Sequence, residues 1–261
     1  MIGTNHLGVN LTFARFVFVT LREDDDAAGA RLRAAGAALA RGFFNEFDSP
    51  NGHEGGPHET VQFLAAPAAR GSEGIAAARY AVHICSKYRP RLQEADAELR
   101  RRLGSVVAIE ALEGATRVPQ YTSAALYAHA FKRASGRTTG RTARNVIIVP
   151  IRKTADWWAL HPLERHTFFY PHTDGRTGTR AEGHATAAEE GISTIYRRLY
   201  YHPDGHSQEA AYDFITYFEC PDEQLETFDR IRQRLRDEKL NPEWRYVIEG
   251  PEWRGHRVLR W

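Results

Sequence analysis

The apolar and polar positions of this chain fall into short strand-like runs separated by helical stripes, and the same order occurs twice. Leu11 to Leu21 (LTFARFVFVTL) is rich in Val, Phe and Thr and stops at the charged run Arg22 to Asp26, which predicts a buried strand. Arg31 to Phe44 is Ala-rich and sets Leu32, Leu39 and Phe43 at helical spacing. Asp48 to His58 (DSPNGHEGGPH) has no period and collects Pro, Gly and Asn, so it reads as a loop. Ala78 to Lys87 alternates as a strand, Gln93 to Leu103 reads as a helix, and Ser105 to Ala111 returns to a strand. Ala134 to Arg144 (ASGRTTGRTAR) lacks large apolar residues and predicts a linker.

Beyond the linker the pattern repeats. Strands are expected at Asn145 to Ile151, Ile192 to Tyr201, Phe214 to Glu219 and Trp244 to Glu249, with helices around Asp156 to Phe169 and over Gln224 to Glu238. In the last helix Leu225, Phe228, Ile231 and Leu235 share one face, and Asp222 near its start complements the helix dipole. Two β-α-β-β-α-β units imply an α+β fold of two ferredoxin-like halves, residues 1–133 and 145–261, joined by 134–144. Helices would cover one face of each sheet, leaving the other face for a ligand or partner.

Charge removes several function classes. Lys+Arg 35 against Asp+Glu 33 leaves a formal charge of +2, too balanced for a nucleic-acid or membrane surface. The two cysteines, Cys85 and Cys220, form neither a disulfide framework nor a zinc spacing. No apolar run of about 18 residues occurs, and the start lacks a basic segment leading into an apolar one, so a cytoplasmic protein without membrane partners is expected.

Among twelve histidines there is no HExxH or Ser/His/Asp pattern, and no GxGxxG or GxxxxGK[ST] loop follows a strand. Three clusters carry the remaining candidate chemistry: Arg152 to Arg165 (RKTADWWALHPLER), Gly183 to His202 (GHATAAEEGISTIYRRLYYH) and Tyr212 to Glu219 (YDFITYFE). In this order they resemble the chlorite dismutase family of haem b proteins, over roughly residues 145–249. The double-tryptophan element looks like Lys153 to Trp158, with Pro162, Glu164 and Arg165 as its PxER turn. Arg197 to His202 is similar to the family's RKLYH strand, and Asp213 to Glu219 closes the pattern.

The resemblance implies haem b held by a proximal histidine, a chlorite-decomposing activity giving chloride and dioxygen, and a homo-oligomer, pentameric or another ring. His184 stands at the family separation from Arg197; His172 competes, because Thr173 to Gly183 is an extra stretch. Glu243 is the candidate carboxylate behind the ligand, with Glu238 as its rival. Arg197 would hold a haem-bound oxyanion, and strand alternation sends Arg198 to the opposite face. Trp157 is expected to meet a propionate and Trp158 to fill the pocket or an interface; Gln120 and Tyr121, after Pro119, match the pocket edge by position. Val149-Pro150-Ile151 stands where coproheme decarboxylases carry a tyrosine, which favours chlorite chemistry over decarboxylation. Other readings are a haem peroxidase, a coproheme decarboxylase with a redox-active tyrosine elsewhere, and a haem carrier or sensor without turnover.

Overall fold

The computed structural model describes residues 12–21, 26–43, 60–67, 74–104, 107–117, 143–192, 194–207 and 209–258. The loop expected at 48–58, the candidates Gln120 and Tyr121, and 134–142 of the linker lie outside them.

In the first half β1 (Phe13–Leu21), β2 (Thr60–Ala65), β3 (Tyr80–Ser86) and β4 (Val107–Ala115) pair in the order β2-β3-β1-β4, with helices α1 (Asp26–Phe43) and α3 (Arg89–Leu103) and the short α2 (Gly74–Ala77) between them. In the second half β5 (Asn145–Lys153), β8 (Tyr196–Tyr201), β9 (Phe214–Cys220) and β11 (Trp253–Val258) pair as β11-β5-β9-β8, the same ferredoxin-like order. The short β10 (Val247–Glu249) lies against the end of β5. The halves join through β11 on β2 and β4 on β8, closing the strands into a ring. The second seam has one residue pair, Ala115 and Tyr201. A Cβ on Gly114 would lie 2.5 Å from the Cβ of Tyr200, so a side chain there would force the seam open.

Closure decides where the core sits. Alternate residues of β1 face opposite ways: Ala14, Phe16 and Phe18 point into the ring, whereas Val17 and Val19 meet α1 and α3. The ring interior is filled by side chains from both halves, including Tyr200, Tyr217, Ile215 and Trp253, each at most 1% exposed. Full burial of each such side chain stabilises the fold by about 1.5–3 kcal/mol. Trp253 also donates its indole N–H to the Ala78 carbonyl at 2.8 Å, tying the halves together. The sheet face left bare by helices is therefore filled by the chain's own side chains, contrary to the expectation that it is left for a ligand or partner.

Local chemistry also revised the helices. The single helix expected over 156–169 is two, α4 (Ala155–Ala159) and α5 (Pro162–Thr167). Pro162 disfavours helical geometry at His161, and His161 instead caps α5, its Nδ1 accepting the Leu163 N–H while Glu164 accepts the His161 N–H. The extra stretch forms a hairpin, β6 (His172–Thr173) with β7 (Arg180–Ala181), leading into α6 (Gly183–Ala188). Helix α7 (Leu225–Arg236) packs Phe228 on Phe218 of β9.

Candidate functional site

The second sheet presents a helix-covered face whose residues follow from strand pairing. Phe218 packs on α7, and its partners across the strands are Ile147 of β5 and Arg197 of β8. By alternation this face continues through Val149, Ile151 and Lys153, through Thr216 and Phe214, and through Leu199 and Tyr201. Arg197 is half-buried there. Arg198 takes the opposite face, inside the ring, where it is buried beside Tyr196 and Tyr200. Burial raises the Tyr201 phenol to about 12, and the cations Arg197 and Arg117 only partly offset it, so Tyr201 stays protonated at neutral pH.

At the end of β5, Lys153 turns its ammonium toward the helix layer, 2.6 Å from Oε1 of Glu243 and 4.0 Å from the centre of the Trp157 ring. Glu243 stands in the turn Pro242–Tyr246 and is 6% exposed. Its second oxygen, Oε2, lies 2.9 Å from Nδ1 of His184. Burial by itself would raise the Glu243 carboxyl, but the Lys153 ammonium and the contacts with His184 outweigh it and hold the group well below the usual carboxylate range. Burial pulls the Lys153 ammonium below its ordinary value, while Glu243 and Asp213 limit the drop. An ionised carboxylate only accepts, so Nδ1 of His184 donates to Glu243 and Nε2 is the ring nitrogen turned away from it.

Helix α6 sets the imidazole's position through its first amides. Gly183 N–H donates to Leu240 at 3.0 Å, His184 N–H to Phe168 at 2.9 Å and Ala185 N–H to Phe169 at 2.9 Å. Gly183 has φ +80°, and a Cβ there would meet the Tyr170 backbone at 2.5 Å, so glycine is required immediately before the histidine.

Of the expected residues, the structure brings His184 and Glu243 together; Glu238 is exposed in the preceding turn. His172 sits on the hairpin with Nδ1 on the Tyr170 carbonyl at 2.8 Å and its ring edge-on to Phe168. Trp157, expected to meet a propionate, is fully buried against Lys153, Phe168 and Tyr246. Trp158 stacks between His206 at 4.2 Å and Phe214 at 6.0 Å. Two residues were missed as participants. Lys153 enters the sequence pattern only as part of the tryptophan element, although a lysine continuing the apolar face of a strand signals a buried charge. Asp213, 3% exposed, accepts the Lys153 N–H at 2.7 Å and holds Nδ1 of His206 at 2.6 Å.

Donor set and surroundings fit a haem iron. One imidazole with one ring nitrogen on a carboxylate is the usual single-histidine ligand arrangement. The buried Nε1 of Trp158 and Oγ1 of Thr216, on or against the same sheet face, have no hydrogen-bond partner among the described residues. No group of three His, Cys, Asp or Glu side chains able to hold a bare metal ion occurs among those residues.

No protein-family model matches the chain. Solved structures do. A glutamate-for-arginine variant of chlorite dismutase from Candidatus Nitrospira defluvii superposes with a TM-score of 0.66 at 20% identity, covering 95% of this chain and 91% of that one. Chlorite dismutase from the same organism in complex with imidazole gives a TM-score of 0.63 at 21% identity, again over 95% and 91%. A protein provisionally assigned as a chlorite dismutase gives 0.66 at 13% identity over 96% of both chains. The chain therefore has the chlorite dismutase fold along nearly its whole length. Among the described residues no helix is long and apolar enough to cross a membrane.

Proposed function

We propose that this chain is a haem b protein of the chlorite dismutase family that decomposes chlorite to chloride and dioxygen. The observation that carries the reading is the relay from buried Lys153 through buried Glu243 to half-buried His184, which leaves one imidazole nitrogen to bind iron. His184 would hold haem b through Nε2, and the haem would supply the redox chemistry for ClO2⁻ → Cl⁻ + O2.

The chain's own residues do three things. Glu243, kept ionised by Lys153, accepts the Nδ1 proton of His184, which orients the ring and raises its electron donation. Arg197, a permanent cation on the sheet face, binds and orients the chlorine oxyanion by charge-assisted hydrogen bonds. Leu199, Val149, Ile151 and Phe214 line the same face and exclude water around that charge. Trp158, whose indole N–H meets no hydrogen-bond acceptor among the described residues, takes a polar pocket contact.

A coproheme decarboxylase is the second reading, favoured by one observation: Tyr201 supplies a protonated phenol on the face that carries Arg197. The separating experiment loads the protein with haem b and follows dioxygen with an electrode on adding chlorite. Oxygen release that falls by about 10²–10³ in Arg197→Ala, with the Soret band retained, supports the proposal. Absence of oxygen release together with peroxide-dependent coproheme conversion that is lost in Tyr201→Phe supports the second. Haem binding without either turnover leaves a carrier or sensor.

A further inference from the structure

The extra stretch Thr173 to Gly183 is not a loose insertion. Its hairpin turn is built around Asp174, whose N–H donates to Thr179 at 2.8 Å and whose carbonyl accepts the Gly178 N–H at 2.8 Å. The Asp174 carboxylate, 5% exposed, accepts from the Arg176 N–H at 3.2 Å, from Oγ1 of Thr177 at 3.1 Å, and from Nη2 of Arg245 at 2.8 Å. Arg245 spends its other arm on the chain that bears Glu243: its Nε donates to the Pro242 carbonyl at 2.8 Å. The guanidinium is seated over Phe168 and Tyr246, with 5.9 and 5.7 Å to the ring centres.

The far end of the hairpin makes a second tie to the same segment. The N–H groups of Glu182 and Gly183 both donate to the Leu240 carbonyl, at 2.9 and 3.0 Å, and His184 follows directly. Glu243 itself stands in a five-residue 3-10 turn with no side-chain cap, a weak local frame for a carboxylate that must meet an imidazole. Tertiary ties on both sides of it must supply the rigidity.

We propose that Asp174 and Arg245 are positioning residues: the hairpin uses their ion pair to clamp the Pro242–Tyr246 turn so that Glu243 stays on His184. The forked geometry is essential, because a single planar guanidinium joins a carbonyl and a carboxylate that lie on different segments. Such outer residues matter because a ligand's hydrogen-bonding partner must be held to within about 0.5 Å. The inference rests on His184 as the iron ligand, and the test keeps the two apart.

Full-length Asp174→Asn, Arg245→Met and Arg245→Lys are loaded with haem b, with His184→Ala as control. Two quantities are read: the ferrous iron–histidine stretching band by resonance Raman, and the rate of haem transfer to an excess of a haem scavenger. The expected result is a shift of the band to lower wavenumber and haem loss about tenfold faster in Asp174→Asn and Arg245→Met. Arg245→Lys keeps the charge and most of the packing and is the variant that folds whatever the fate of the others. Since an ammonium cannot span both acceptors in the same way, it must still show the band shift. In ligand-free protein the downfield proton signal of the His184 Nδ1–H should broaden or vanish in all three variants. An unshifted band and an intact proton signal in Arg245→Lys and Asp174→Asn overturn the positioning role. A wild-type haem spectrum in His184→Ala overturns the ligand assignment instead.

Discussion

Replacing Glu243 by glutamine removes one charge from the buried Lys153–Glu243 pair of the relay while keeping its volume, and the structure sets the size of the effect. Lys153 and Glu243 have side chains 6% and 7% exposed and meet at 2.6 Å, so the variant leaves an ammonium with neither solvent nor a counter-charge at hydrogen-bond distance. Breaking a buried pair from one side costs about 3–5 kcal/mol; glutamine still accepts one hydrogen bond, which places the expectation near the lower bound, about 3 kcal/mol. For a chain of this size that is a fall in melting temperature of roughly 6–12 °C. The assay is urea unfolding of ligand-free protein at pH 7, followed by tryptophan fluorescence. Lys153→Met and the double variant complete the cycle, and removing both charges should restore about 2 kcal/mol or more relative to additivity. Acid adds an independent check. Because Glu243 is held below its ordinary range in the folded state, its contribution is present above the unfolded value of about 4.3 and fades as pH falls below that. The glutamine variant should lose that part of the acid dependence. A cost under about 1 kcal/mol at pH 7 with strictly additive single effects would refute the reasoning.

Three further outcomes follow from the geometry. Gly183→Ala drives a methyl into the Tyr170 backbone at a left-handed position and should cost about 2 kcal/mol or more, with loss of haem retention; a stable variant with normal haem uptake refutes the constraint on α6. Asp213→Asn gives up one of two contacts, the Lys153 N–H or His206, and should lose about 1–3 kcal/mol while the emission of Trp158, stacked on His206, changes; unchanged unfolding and emission count against it. Glu219, 0% exposed, pairs with Arg257 at 2.5 Å and accepts the Tyr217 hydroxyl at 2.5 Å, so Glu219→Gln should destabilise by about 3–5 kcal/mol in urea unfolding, and a loss below about 1 kcal/mol would show that the ring interior tolerates the uncompensated guanidinium.

The elements that sequence foresaw are those whose signal is local. β1 and the apolar stripe of α7 are visible because burial repeats at the spacing of their own backbone. β2 and β11 were not anticipated as strands; WRGHRV is polar and interrupted by glycine, and it becomes a strand only by filling the gap between β5 and β2. The same limit applied to the helix over 156–169, where the pattern was helical throughout but Pro162 and the His161 cap divided it.

Taken by itself, the sequence determined two ferredoxin-like units, most of their strands and helices, and the short list from which a site could be drawn: His184 or His172, Glu243 or Glu238, Arg197 rather than Arg198. Tertiary structure decided which of these stand together. The His184–Glu243 and Lys153–Glu243 contacts span 59 and 90 residues, and the clamp from Asp174 to Arg245 spans 71. Spacing along a chain carries no information about which turns will face each other across such separations. That choice is made when the sheet closes on itself, filling one face with side chains and leaving the other to the helix layer, where burial and charge pairing select the partners.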